Sequence, residues 1–189
     1  MVRLKDRYLL VNILYSDLPP GHPKDAPVPD LLLYNQPTAG ELRPQHLLKA
    51  IRGEVAALFG DCGAGAVDRS LQVKYLSSAT STFILRISRA HYRLVWAALA
   101  FMNSLPVGRP GRPCVYRVVR VSGTMRKVEQ AAIQRAKLLM LAARDEMAGN
   151  KNTSALDALF KADKVETRRL AAPTQDQDEP DEDVAMDED

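Results

Sequence analysis

What this chain lacks narrows the field quickly. No apolar run approaches the roughly 20 residues that a membrane span needs, and the charged start of residues 2–15 lacks a small-residue cleavage site, so no secretory signal is read there. Only two cysteines occur, Cys62 and Cys114, far apart and without a C-x-x-C. They predict reduced, structural thiols rather than a disulfide or zinc site. Histidine is as scarce. His22, His46 and His91 are scattered, and none has Cys, Asp or Glu at metal-ligand spacing. No serine sits in a G-x-S-x-G turn. The glycine-rich 60–65 stretch, GDCGAG, has neither a Walker Lys-Ser/Thr nor a dinucleotide fingerprint and reads as a helix stop. These absences leave little support for catalysis.

Charge is present, and unevenly spread. The 189 residues carry 26 basic and 23 acidic groups, a net +3. Residues 174–189 hold nine acids and no base, so residues 1–173 carry 26 basic against 14 acidic groups, a net +12. A body this basic with an acidic tail points to a polyanion partner. The bland alternative is a solvated basic surface. The hydrophobic share of 46% is enough for a real core.

Residues 67–102 organise the rest. Val67, Arg69, Leu71, Val73 and Tyr75 alternate with polar neighbours, which predicts a strand over 67–75 with one buried face. Residues 77–80 suit a hairpin turn. Phe83, Leu85 and Ile87 predict a second strand, with Ile84 on the polar side. Tyr92, Val95, Trp96, Leu99 and Met102 then fall at helical spacing. Before this core, residues 1–15 read as a first strand, apolar on both faces in its second half. Residues 17–44 hold seven prolines and form a long insertion. A helix is expected over 44–59, with Leu48, Ile51, Val55, Leu58 and Phe59 as its buried stripe. Residues 114–121 read as a strand and residues 125–147 as a helix. That helix has a seam at Val128, Ala132, Leu139 and Ala143, and a further apolar edge at Ile133, Leu138 and Met140. Residues 148–170 offer a short helix through Leu156, Leu159 and Phe160. Residues 171–189 form an acidic tail with almost nothing apolar to bury. The order is βαββαβ. It predicts an α+β, ferredoxin-like sandwich over 1–147, with a four-stranded antiparallel sheet, two helices on one face and an extra C-terminal helix.

Basic residues recur at element ends: Arg3, Lys5, Arg7, Lys74, Arg86, Arg89, Arg126 and Lys127. Ser122-Gly123-Thr124 leads into a helix N-terminus, where free N–H groups favour anions; a plain N-cap accounts for the same residues. The third strand lacks the aromatic RNP signature, so base stacking on the sheet is not indicated. Backbone- and shape-based contact with folded RNA fits better. A metabolite-binding or oligomerising ferredoxin-like module is the alternative, and a small phosphohydrolase a weaker third, because the loop after strand one is the proline-rich insertion.

Three stretches carry a family resemblance: MVRLKDRYLL at the start, LQVKYLSSATSTFILRISRAHYRLVWAAL in the middle and RVSGTMR before the last helix. Together they resemble the processing-of-precursors subunit five family, a small protein subunit of eukaryotic ribonuclease P and ribonuclease MRP shared with archaea. The likeness spans roughly residues 1–141, apart from the insertion. Two features depart from it. Ser122-Gly123 stands where the family often has two glycines, and the 17–44 loop is long. The resemblance implies a non-catalytic subunit in a nuclear, largely nucleolar ribonucleoprotein whose RNA carries the catalytic centre and its Mg2+, with no cofactor on the protein. It implies cleavage of precursor-tRNA 5′ leaders, precursor-rRNA processing in the MRP form, and pairing with a TIM-barrel-like subunit. Mapped onto this chain, Arg3, Lys5, Arg7, Lys74, Arg86, Arg89, Ser122, Gly123, Thr124, Arg126 and Lys127 are the expected RNA-binding residues. Ile133, Leu138 and Met140 are the expected partner-protein surface.

Overall fold

A computed structural model describes residues 5–17, 33–38, 42–108 and 111–147. The seven principal elements are β1 (Asp6–Leu14), α1 (Pro44–Asp68), β2 (Gln72–Ser77), β3 (Thr82–Ser88), α2 (Tyr92–Phe101), β4 (Val115–Ser122) and α3 (Met125–Met147). The strands form one sheet in the order β2-β3-β1-β4, and every neighbouring pair is antiparallel. This is the ferredoxin-like arrangement that the element order predicts.

β1 is apolar on successive residues because it is central and covered on both faces. Leu9, Val11 and Ile13 enter the main core with Ile51 and Val55 of α1 and Val95 and Leu99 of α2. Leu10 faces the other way and packs with Ile84 of β3 and Val128 of α3 in a second, smaller core. Ile84, read from the sequence as the strand's polar-side residue, is therefore only 2% exposed. α3 supplies the cover, so the sheet carries helices on both faces. Burying each such side chain contributes about 1.5–3 kcal/mol.

Three expectations need correction. The helix expected to stop near residue 59 continues to Asp68, with non-helical dihedrals only at Gly60 (φ 63°, ψ −162°). Glycine alone takes that left-handed conformation cheaply, so it bends the path and the chain re-enters helix. The buried face also differs from the expected stripe: Leu47, Ile51, Val55 and Val67 are buried, while Leu58 and Phe59 are 38% exposed. Second, Val67 ends a helix, and the strand begins only at Gln72. Val67 and Leu71 still reach the core, which is why their apolar spacing imitated a strand. Third, the pairing of β2 with β3 slips between Val73 and Tyr75, making Lys74 the extra residue of a bulge. Val73 and Leu76 pack on the main core, and Tyr75 turns to the outer face at 49% exposure. Strict alternation would have put Val73 and Tyr75 on one side.

The returning end of the proline-rich insertion is tied down by a buried polar network. Tyr15 Oη lies 2.7 Å from Thr38 Oγ1, which donates to Ser81 Oγ at 2.9 Å. Ser81 in turn donates to the Gln36 carbonyl. Arg112 Nη2 donates to Gln36 Oε1 at 2.5 Å, and its guanidinium stacks 4.1 Å from the centre of the Tyr15 ring. Ser81 holds φ 49° in the β2–β3 turn to take part. Burial is the main cause that raises the pKa of the Tyr15 phenol.

Candidate nucleic-acid interface

The antiparallel register decides which basic residues meet. Tyr8 pairs with Ser122, and Asp6 pairs with Ser88. The start of β1, the end of β3 and the end of β4 therefore share one end of the sheet. α3 starts there too, immediately after the Ser122-Gly123-Thr124 turn. Lys5, Arg7, Arg89, Arg126 and Lys127 gather around that end. Lys5 accepts a backbone hydrogen bond from Arg89 at 2.8 Å. Lys5, Gly123, Thr124, Arg126 and Lys127 are exposed; Arg7, Arg89 and Ser122 are half-buried.

Arg7 and Gly123 are in close contact. A Cβ placed on Gly123 would stand 3.0 Å from Arg7 Nη1. The absent side chain lets the Arg7 guanidinium lie close against the turn; a Cβ would displace its flexible end by only a few tenths of an ångström. The Ser122 hydroxyl accepts from the Thr124 backbone N–H at 3.4 Å, a short cap that leaves the next N–H groups of α3 without an intrahelical acceptor. Cations and helix-end donors at one place suit phosphate.

Other expected RNA-binding residues fall elsewhere. Arg3 lies outside the described residues. Arg86 directs Nε to Asp6 Oδ2 at 2.7 Å, with Nη2 on the same oxygen. That hydrogen bond, then the Asp6 charge, raises the guanidinium pKa further. With its fork already on a carboxylate, Arg86 offers little to a phosphate and serves to fix Asp6 beside Arg7. Lys74 is exposed in the β2 bulge, on the edge strand opposite β4. Three strand spacings, about 14 Å, separate the two edges, so Lys74 is not part of the group at the Ser122 end.

The expected partner surface also divides. Ile133 and Met140 are 55% and 70% exposed and both line a cleft of about 520 Å³ between α3 and the outer face of the sheet. At ~100° per residue Leu138 lies about 140–160° around the helix from both. It shares a side with Leu141, which is 51% exposed. The helix therefore has two apolar edges rather than one.

Among the described residues no group of three His, Cys, Asp or Glu side chains could hold a metal ion, and no helix is long and apolar enough to cross a membrane. Cys62 and Cys114 are both free, the first exposed and the second buried.

Fold and surface together define a class: a small α+β protein with a covered sheet, whose basic residues cluster where a strand end meets a helix N-terminus. The Rpp14/Pop5 family matches residues 7–133, and the chain belongs to that family. Over 137 residues it is 47% identical to the ribonuclease P/MRP protein subunit POP5 of Schizosaccharomyces pombe, covering 72% of this chain and 89% of that protein. The Saccharomyces cerevisiae protein of the same name is 32% identical over 136 residues, 71% of this chain and 77% of that one. The Homo sapiens protein is 32% identical over 143 residues, 75% and 77%. A chain in the cryo-EM structure of yeast ribonuclease MRP is similar at 12% identity and a TM-score of 0.42, over 72% of this chain and 98% of that one.

Proposed function

We propose that the chain is a non-catalytic protein subunit of ribonuclease P and ribonuclease MRP. One observation carries the reading. The span that matches the Rpp14/Pop5 family holds Arg7, the Ser122–Thr124 turn, Arg126 and Lys127 at a single end of the sheet. Basic side chains gathered beside a helix N-terminus favour a polyanion, and their geometry suits a folded RNA backbone rather than stacked bases.

In this reading Lys5, Arg7, Gly123, Thr124, Arg126 and Lys127 lie on the RNA near its catalytic domain, close to the 5′ side of precursor tRNA. The RNA supplies the chemistry and holds Mg2+; the protein holds RNA in place and binds no cofactor. The particle removes precursor-tRNA 5′ leaders, and the MRP form cuts precursor rRNA. Its location is the nucleus, chiefly the nucleolus. A TIM-barrel-like subunit is the protein partner, and the outer edge of α3 at Leu138 and Leu141 is offered as its seat.

The test is to purify the tagged full chain from native extract and sequence the RNA that comes with it. A structured RNA of ribonuclease P or MRP type is the expected result. Recovery of a soluble oligomer without RNA would remove the proposal. Alanine at Lys5, Arg7, Arg126 and Lys127 should then lower RNA affinity and flatten its salt dependence by roughly 0.7–0.9 log unit per lost phosphate contact.

A further inference from the structure

A carboxylate stands among the cations at the Ser122 end of the sheet. The chain reads Lys5-Asp6-Arg7, so β1 opens with an acid where a polyanion is expected. An unmatched carboxylate there repels phosphate and competes with it for the neighbouring guanidinium. β3 supplies the match. The register sets Asp6 opposite Ser88 and Tyr8 opposite Arg86, so Arg86 reaches Asp6 along the diagonal of one sheet face. Its Nε donates to Asp6 Oδ2 at 2.7 Å, and its Nη2 donates to the same oxygen. The pair is partly open to solvent, the Asp6 side chain at 25% exposure and that of Arg86 at 37%.

Arg7 uses the other end of the same residue. Its Nη1 donates to the Asp6 carbonyl at 3.5 Å, and this is the atom that a Cβ on Gly123 would meet. Asp6 thus holds two arginines, Arg86 on its carboxylate and Arg7 on its carbonyl.

We propose that Arg86 is a positioning residue for RNA binding: it neutralises Asp6, keeps Arg7 at the Ser122–Thr124 turn and available to phosphate, and makes no RNA contact of its own. The inference rests on the RNA-binding reading above. With Arg86 in place the pair has no net charge, and Lys5, Arg7, Arg89, Arg126 and Lys127 set the potential at this end. Without it, Asp6 carries an unmatched charge between Lys5 and Arg7. Those two cations then have a carboxylate to take in place of phosphate. The loss is electrostatic, so removing the acid as well as the base should undo it.

The test titrates the full chain against a ribonuclease P RNA transcript by filter binding over a range of salt. Arg86→Gln should weaken binding about three- to tenfold near physiological salt. Asp6→Asn combined with Arg86→Gln removes both charges and should return affinity to within about twofold of wild type, with the wild-type salt slope. Arg86→Lys keeps the charge and should also stay within about twofold. A direct phosphate contact predicts otherwise: the double variant would stay as weak as Arg86→Gln, its salt slope flatter by roughly 0.7–0.9. That result would overturn the inference, as would Arg86→Gln binding as tightly as wild type. Urea midpoints are measured on the same proteins. Affinity that followed the midpoint across the variants, rather than the net charge of the pair, would mean a merely structural role and would also overturn it. Failure of the wild-type chain to bind the transcript is a separate result: it removes the RNA-binding reading, and this inference with it, before any variant is compared.

Discussion

Arg112→Ala should destabilise the full chain by about 2–4 kcal/mol, although Arg112 is a half-buried loop residue. The sum starts at Gln36, whose side chain is only 3% exposed. Its Oε1 accepts from Arg112 Nη2 at 2.5 Å, and a hydrogen bond to a charged group contributes about 1.5–3 kcal/mol. The guanidinium also lies 4.1 Å from the centre of the Tyr15 ring, adding about 0.5–1 kcal/mol. A further bond reaches the Asp17 carbonyl at 3.2 Å but is exposed and adds little. Truncation leaves the Gln36 oxygen buried and unpaired, so the loss is the cost of that oxygen as well as of the bond. The assay is urea unfolding of the full chain, with thermal melting as a check. At 2–4 °C per kcal/mol for a chain of this size, Tm should fall by roughly 5–15 °C. Arg112→Lys should keep most of the loss, since an ammonium cannot both fork and stack. In a double-mutant cycle with Gln36→Ala the coupling should be about 1–2 kcal/mol. A loss below about 0.5 kcal/mol with no coupling would refute the argument and leave the insertion's return end held by something other than this network.

The remaining predictions concern the interface, the outer core and pH. Gly123→Ala should leave stability within about 0.5 kcal/mol, because only the flexible end of Arg7 must move; RNA affinity measured by filter binding should drop, and the drop should vanish in an Arg7→Ala background. Val128→Asp should place a charge in the Leu10–Ile84 core, undock α3 and speed hydrogen exchange along it; protection equal to wild type would show that α3 is held elsewhere. Leu10→Ala, at 0% exposure, should cost about 2–5 kcal/mol by urea unfolding. Burial is the largest cause that raises the Cys114 thiol above its ordinary 9.0 and the Tyr15 and Tyr116 phenols above 10.0. The neutral forms favour the fold, so their contribution is complete below the unfolded pKa values and is lost as pH climbs past about 9–10. Urea midpoints should fall above pH 9, and Tyr116→Phe should reduce that slope, at the cost of its bond to the Ser104 carbonyl at 3.1 Å.

Which features could be read in advance depended on whether their cause was local. The α3 bounds, 125–147, emerged correctly because a Ser-Gly-Thr turn precedes a long amphipathic run. β3 and α2 were also legible, from a clean change of period at residue 89. The strand expected over 67–75 was displaced because a helix end and a loop can both deliver apolar residues to a core at two- or four-residue intervals. The Lys74 bulge shifts Tyr75 to the opposite face and leaves no mark in composition. At the interface, Arg7 and Gly123 were both singled out, but their contact spans more than a hundred residues of sequence. Arg86 is an expected RNA-binding residue from sequence, but its guanidinium is bound to the Asp6 carboxylate across the sheet. The Tyr15–Thr38–Ser81–Gln36–Arg112 network had no sequence signal: its members are ordinary polar residues from four separate segments.

The sequence by itself determined the element order, the apolar character of the central strand, the charge division between body and tail, and the family, because each is written in neighbouring residues or in motif identity. Tertiary structure alone decided which cations stand together, since antiparallel register brings the start of β1 beside the end of β4 and leaves Lys74 on the far edge. It also decided that α3 covers the sheet's outer face and leaves a cleft beside it. Those outcomes rest on strand pairing and helix packing across long separations, where no short stretch of chain holds the information.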